Sequence, residues 1–214
     1  MSTKTFSNFI CFILKRVVQN VNNFLKTQSN ITSKMKTKKQ FLTGFFLIAS
    51  CSFFITSCIS IPTGAVAFTP FQKEKYLGRW YEIARMDFRF ERNLNNTTAN
   101  YSVNSDGSIK VLNRGYNYKT RQWSQALGKA KFIGNPDVAR LKVSFFGPFY
   151  SGYNVIALDK EYKYALVAGN NQKYLWILSR ETVIPENIKQ NYLKIASDLG
   201  YNIKALIWVK QDQN

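Results

Sequence analysis

The sequence contains no histidine. That removes His-based catalytic triads, zinc sites built on imidazole and His-ligated haem from consideration. Cysteine is nearly as scarce: Cys11, Cys51 and Cys58 are the three present. Residues 59–214 therefore have neither an internal disulfide nor thiol chemistry. Acidic residues are missing from residues 1–58, which carry eight Lys/Arg and no Asp or Glu. All 12 acidic residues fall in 59–214, against 22 basic ones there. A basic domain is drawn to nucleic acid or to anionic lipid headgroups. Here the basic side chains are scattered, without a dense Arg/Lys run, which reads as a solvated face near anionic lipid and points away from nucleic acid. Without cross-links, stability must come from the core, and aromatics make up 15% of the chain.

The uneven charge marks out a leader. Met35-Lys36-Thr37-Lys38-Lys39-Gln40 is a short basic segment, and Phe41 to Ser57 is 17 residues without a charge. That length is short for a spanning helix and suits a signal peptide. The run ends in Ile55-Thr56-Ser57-Cys58, which looks like the lipobox of bacterial lipoproteins, with small residues before a thiol that accepts diacylglycerol. Ile48-Ala49-Ser50-Cys51 has the same form and is the rival site, and a retained anchor helix is the bland alternative. Met35 begins a complete signal by itself, so translation is expected to start there. The expected division is 1–34 an upstream extension or disordered, 35–57 signal peptide, 58–69 lipidated tether, and 70–212 a folded domain.

Within that domain the dominant period is two, broken by turns at short intervals. Strands are expected at Arg79 to Met86, Thr98 to Val103, Ser108 to Tyr116, Gln122 to Ile133, Ala139 to Phe146, Tyr153 to Leu158, Tyr164 to Gly169 and Tyr174 to Ser179. Asp106-Gly107 is a hairpin signal, because glycine accepts the positive φ of a tight turn. After Pro185 the period changes: Ile188, Tyr192, Ile195 and Leu199 form one apolar stripe of a helix that Gly200 stops. Ile203 to Val209 reads as a last short strand. The expected class is all-β, an eight-stranded antiparallel barrel with one C-terminal helix packed on its wall. Closure removes aggregating edges and leaves room for side chains or one small ligand.

Three segments carry a family likeness. They are Tyr76-Leu77-Gly78-Arg79-Trp80-Tyr81-Glu82-Ile83-Ala84-Arg85 with Phe90-Glu91-Arg92-Asn93-Leu94 after it, Tyr153 to Asp159 followed by Tyr162 and Tyr164-Ala165, and Leu175-Trp176-Ile177-Leu178-Ser179-Arg180. Val143 to Phe149 adds to them. In this order and spacing the chain, over about residues 70–210, resembles a lipocalin of the bacterial outer-membrane lipoprotein and apolipoprotein D type. The resemblance implies an up-and-down barrel closed at one end, with structural roles for Gly78, Trp80, Asp159 and Arg180. Arg180 would pack across the Trp80 indole, a cation–π contact of ~0.5–2 kcal/mol.

If Trp80 faces inward, alternation places Glu82 and Ala84 on the same face, and a buried Glu82 needs a partner. The candidate ligand-lining residues are Ala84, Tyr101, Val111, Ala126, Val143, Phe145, Tyr153, Val155 and Trp176. Small residues on the fourth strand, Ala126, Gly128 and Ala130, would leave room, and each lining residue is as apt to fill the barrel as to touch ligand. Phe88 and Phe90 would form an apolar rim, and Arg85, Arg89 and Arg92 would either meet lipid phosphate or serve as surface charge. The resemblance implies a non-enzymatic carrier of a fatty acid or lysophospholipid, without cofactor or metal. It would be anchored through Cys58 in the bacterial outer membrane and face the periplasm, with a homodimer left open. Two other readings stand beside it, an interaction lipoprotein with a filled barrel and an enzyme on a lipophilic substrate that would rely on Glu82 and the tyrosines.

Overall fold

The structure is a computed structural model that describes residues 60–212. The readings of residues 1–34, of the signal peptide and of Cys58 lie outside the described residues. A short helix α1 (Lys73–Tyr76) precedes eight strands: β1 (Gly78–Met86), β2 (Leu94–Val103), β3 (Ile109–Asn117), β4 (Gln122–Phe132), β5 (Arg140–Phe146), β6 (Phe149–Leu158), β7 (Tyr164–Ala168) and β8 (Leu175–Ser179). Helix α2 (Glu186–Asp198), a single 3₁₀ turn (Ile203–Ala205) and β9 (Leu206–Trp208) follow. Each strand from β2 to β7 pairs antiparallel with the next, and β1 pairs with both β8 and β2, so the eight strands close an up-and-down barrel. The expected barrel with one helix on its wall is present.

Local chemistry sets the connections. At the β2–β3 hairpin Gly107 takes φ +76°, and its amide donates to the Asn104 carbonyl at 2.9 Å. The β6–β7 turn is organised by Asp159. Its Oδ1 accepts from the amides of Lys163 and Tyr164, both at 2.6 Å, and its Oδ2 from Glu161 at 3.0 Å. Gly200 ends α2 with φ +81°. The apolar stripe of that helix buries Tyr192 and Ala196 against the outer faces of β1, β7 and β8, in a cluster with Ile83, Leu166, Leu175 and Ile177. The Tyr192 hydroxyl donates to the Tyr164 carbonyl at 2.8 Å.

Register shifts occur in β1, β2, β5 and β6, and those in β1 and β6 move residues off the inner face. In β1 the register against β8 shifts between Glu82, opposite Leu178, and Ala84, opposite Ile177. Such a bulge inserts one residue and flips the face of everything after it. Ala84 therefore packs in the outer cluster under α2, not inside the barrel, and Arg85 turns inward in its place, opposite Trp176. A second shift in β6, between Val155 and Ala157, puts Ala157 on the outer face in the same way.

The seam between β1 and β2 is also unusual. β2 pairs with only the first part of β1, Gly78 to Tyr81, while β9 pairs with Ala84 to Met86. The tail after β9 spans the gap. The Asn96 amide donates to Lys210 O at 2.8 Å, and Gln211 Nε2 donates to Glu82 O at 2.8 Å and Thr97 O at 3.0 Å. At the other terminus, Ser60 Oγ donates to Asn170 O at 2.9 Å in the β7–β8 loop. From there the chain follows β6, Phe68 N donating to Val155 O at 2.8 Å, and reaches the closed end at Phe71. Gly152 permits this path, because a Cβ there would stand 2.5 Å from Ser60 O.

Candidate functional site

The barrel interior divides into three levels. At the closed end Trp80 is fully buried, and its Nε1 donates to Tyr76 O at 2.8 Å. The Arg180 guanidinium lies 3.9 Å from the Trp80 ring centroid. It also donates to four backbone carbonyls, Arg79 at 2.6 Å, Lys75 at 2.8 Å, Leu77 at 2.9 Å and Tyr162 at 3.2 Å. Gly78 holds φ +92°, and a Cβ there would sit 3.4 Å from Arg180 Nη1. Four carbonyls and an indole face occupy the cation, so Trp80, Arg180 and Gly78 form a plug.

Against the plug, with the Tyr76 ring 4.8 Å from that of Trp80, three tyrosines from three elements meet. Tyr76 comes from α1, Tyr101 from β2 and Tyr153 from β6, and β2 and β6 stand on opposite walls. The Tyr153 hydroxyl is 2.7 Å from that of Tyr76 and 2.9 Å from that of Tyr101. The rings of Tyr76 and Tyr101 stack at 5.6 Å. Burial pushes all three phenols above their usual range, so they stay protonated at neutral pH.

The upper level holds a buried charged group. Arg85 Nη1 donates to Glu82 Oε1 at 2.6 Å, and Nη2 donates to the carbonyls of Glu91 at 2.6 Å and Leu94 at 3.0 Å. Trp176 Nε1 donates to Glu91 Oε2 at 3.0 Å. This is the partner that a buried Glu82 requires. Two carboxyls share one guanidinium here, so burial and then the nearby Glu91 push the Glu82 carboxyl up to about 8. Burial raises the Glu91 carboxyl as well. The cluster ties the β1–β2 connection, residues 87–93, to the wall. Phe88 and Phe90 of that connection contact each other at 6.5 Å, Phe88 meets Trp176 at 5.6 Å, and Phe90 meets Phe146 at 6.2 Å. Phe90 and Phe149 are exposed at this end (63% and 75%), leaving an apolar rim.

Among the sequence candidates, Tyr101, Val111 and Val155 are buried in the inner cluster, while Val143, Phe145, Tyr153 and Trp176 pack against it and keep accessible surface. Ala126 is half-buried opposite Asn113. Ala84 is outside, in the cluster under α2. Room at Gly128 is taken by Phe145, whose ring would stand 2.8 Å from a Cβ on that glycine. Arg85 is sequestered by Glu82 and Arg92 is paired with Asp87 at 2.9 Å, so neither guanidinium is a bare cation awaiting phosphate. Sequence reasoning did not find Glu91, the inward turn of Arg85, or the polar upper wall. On that wall Asn113 Oδ1 and Thr97 Oγ1 are buried without a hydrogen-bond partner among the described residues. The available signal was the demand of Glu82 for a cation, with Arg85 three residues away. No cluster of His, Cys, Asp or Glu among the described residues is arranged to hold a metal.

Comparison with known proteins agrees with this geometry. Residues 71–211 match the family model described as a lipocalin-like domain. The chain is 51% identical to the outer membrane lipoprotein Blc of Citrobacter freundii over 79% of this chain and 93% of that protein. It is 44% identical to the protein of the same name from Vibrio cholerae, over 78% and 97% respectively. Apolipoprotein D of Rattus norvegicus is 36% identical over 63% of this chain and 71% of its own. Among solved structures, insecticyanin from the tobacco hornworm Manduca sexta superposes with a TM-score of 0.56 at 19% identity, over 71% of this chain and 86% of that one, a likeness of fold. With its family model spanning the whole barrel, its plugged end and its close bacterial relatives, the chain belongs to the lipocalin-like family.

Proposed function

We propose that the protein is a non-catalytic carrier that holds a lipophilic molecule in the upper half of its barrel, above the tyrosine level. The ligand class is a fatty acid or lysophospholipid, and the role is storage or transport of membrane lipid during envelope maintenance. The observation that carries this reading is the apolar inner cluster whose mouthward members, Val143, Phe145, Tyr153 and Trp176, keep accessible surface beneath an aromatic rim. Such a wall gains ~25 cal/mol for each Å² of acyl surface it covers, before the costs of association. The inward acid–base groups Glu82 and Glu91 are committed to Arg85 and Trp176, which favours a carrier over a catalyst.

The placement follows the relatives. Two of them are named outer membrane lipoproteins and match across most of this chain, which supports attachment at the outer membrane. Acylation of Cys58 would supply the anchor, since several acyl chains on one residue hold a protein stably at ~0.8 kcal/mol per buried CH₂. Native mass spectrometry with lipid extraction tests the carrier reading. A co-purifying fatty acid or lysophospholipid is expected, and its loss in Trp176→Glu with the fold retained. A protein that is empty and takes up no added lipid would instead favour a filled-barrel interaction lipoprotein.

A further inference from the structure

The tyrosine level carries a hydrogen-bond imbalance. Three hydroxyls are linked by two contacts, Tyr76 to Tyr153 and Tyr153 to Tyr101. Each phenol owns one hydrogen. If the chain runs from Tyr76 through Tyr153 to Tyr101, the Tyr101 hydrogen is left over. In the reverse direction Tyr76 keeps one, and if Tyr153 accepts from both neighbours its own hydrogen is spare. Every arrangement leaves one O–H without an acceptor in this group. The surroundings are the apolar side chains of the inner cluster, Val111, Leu141 and Val155 among them. An unmade hydrogen bond is costly in such a place. Tyr76 and Tyr101 are buried, whereas Tyr153 keeps accessible surface inside the barrel. The group therefore forms a bar between opposite walls, and Tyr153 is its member with accessible surface.

We infer that this bar is a binding subsite for a neutral oxygen acceptor at the deep end of the ligand, a hydroxyl, keto or epoxide oxygen in the distal half of an acyl chain. A carboxylate fits poorly there. The nearest cations are already committed, Arg85 to the Glu82 and Glu91 carboxyls and the carbonyls of Glu91 and Leu94, and Arg180 to four carbonyls beyond the Trp80 ring, so a buried charge would lack a counterion. A carboxyl-bearing chain thus enters tail first, and the site prefers an oxygenated tail to a plain one. The inference rests on the carrier reading and makes it more specific.

The test compares palmitate, its ω-hydroxy derivative and a mid-chain keto acid of the same length, by calorimetry on the intact protein. An added oxygen makes a chain more soluble and weakens binding to a purely apolar pocket. Here at least one oxygenated chain is expected to bind tighter than palmitate by roughly three- to tenfold, the size of one net hydrogen bond. The triple variant Tyr76→Phe, Tyr101→Phe, Tyr153→Phe removes every hydroxyl at nearly constant volume and should restore the preference for palmitate. Should that variant not fold, the infrared carbonyl stretch of the bound, isotope-labelled keto acid on the wild-type protein gives an independent answer. A shift to lower wavenumber relative to hydrocarbon solvent marks donation from a phenol, and an unshifted band overturns the subsite. Palmitate binding as tightly as or tighter than both oxygenated chains overturns the subsite and leaves the carrier intact. Failure of all three chains to bind overturns the carrier reading and the subsite with it.

Discussion

At the scale of single residues, the charged group of Glu82, Arg85 and Glu91 makes the fold sensitive to pH. The folded protein holds a proton on Glu82 up to about pH 8, whereas the unfolded chain releases it near the ordinary carboxylate value. Between those two values the native state binds more protons than the unfolded state. Stability from this group is therefore complete below the unfolded value and falls as pH rises through about 8. Urea midpoints measured from mildly acidic to mildly alkaline pH should show this decline, and Glu82→Gln should flatten it. Arg180 is the second sensitive position. Arg180→Ala gives up a cation–π contact and four carbonyl bonds at a half-exposed site, an expected loss of about 2–4 kcal/mol in urea unfolding. Arg180→Lys keeps the charge but not the planar fork and should recover less than half of it. Sequence alone made the need of Glu82 for a partner legible, because a buried carboxylate is untenable unpaired. It hid the identity of that partner, because alternation from Trp80 sends Arg85 outward and only the bulge at Ile83 turns it in.

At the scale of elements, strand positions were readable wherever period two runs unbroken. Leu141, Val143 and Phe145 point inward in β5 as their spacing dictates, and Asp106-Gly107 marks its hairpin. Ala84 was misplaced because a bulge adds a residue to one strand only, and nothing in the strand's own pattern announces it; Ala157 lies beyond a second such bulge. Gly128 was misread for another reason, since the space beside a glycine belongs to whichever neighbour reaches it, here Phe145. The tail after β9 was also beyond reach, because Gln211 works through backbone carbonyls that any sequence supplies. Its contribution is measurable. Gln211→Ala leaves Glu82 O and Thr97 O without that donor and should cost about 1–3 kcal/mol. Hydrogen exchange at the Asn96 amide, which donates to Lys210 O, should speed up in a chain cut after Trp208.

At the scale of the whole molecule, the barrel was legible because its signals agree at every level: eight short strands, turns between them, then one amphipathic helix. The site was less so, since which inward residues are covered and which stay accessible depends on barrel tilt and on the loop over the mouth. The course of residues 60–71 has a consequence of its own. Ser60 is fastened beside the β7–β8 loop, on the same end as the mouth, and Cys58 lies two residues earlier. Fully extended, two residues span only about 7 Å. If Cys58 is acylated as proposed, the leash would be too short to let the barrel tumble, and it would hang mouth-down against the leaflet that holds its acyl chains. Lipid would then pass between bilayer and barrel without a journey through water. A flexible spacer inserted after Cys58 should slow uptake from vesicles while leaving affinity for dispersed lipid unchanged. Orientation, like a mooring line made fast at the bow, would be set by where the rope is tied.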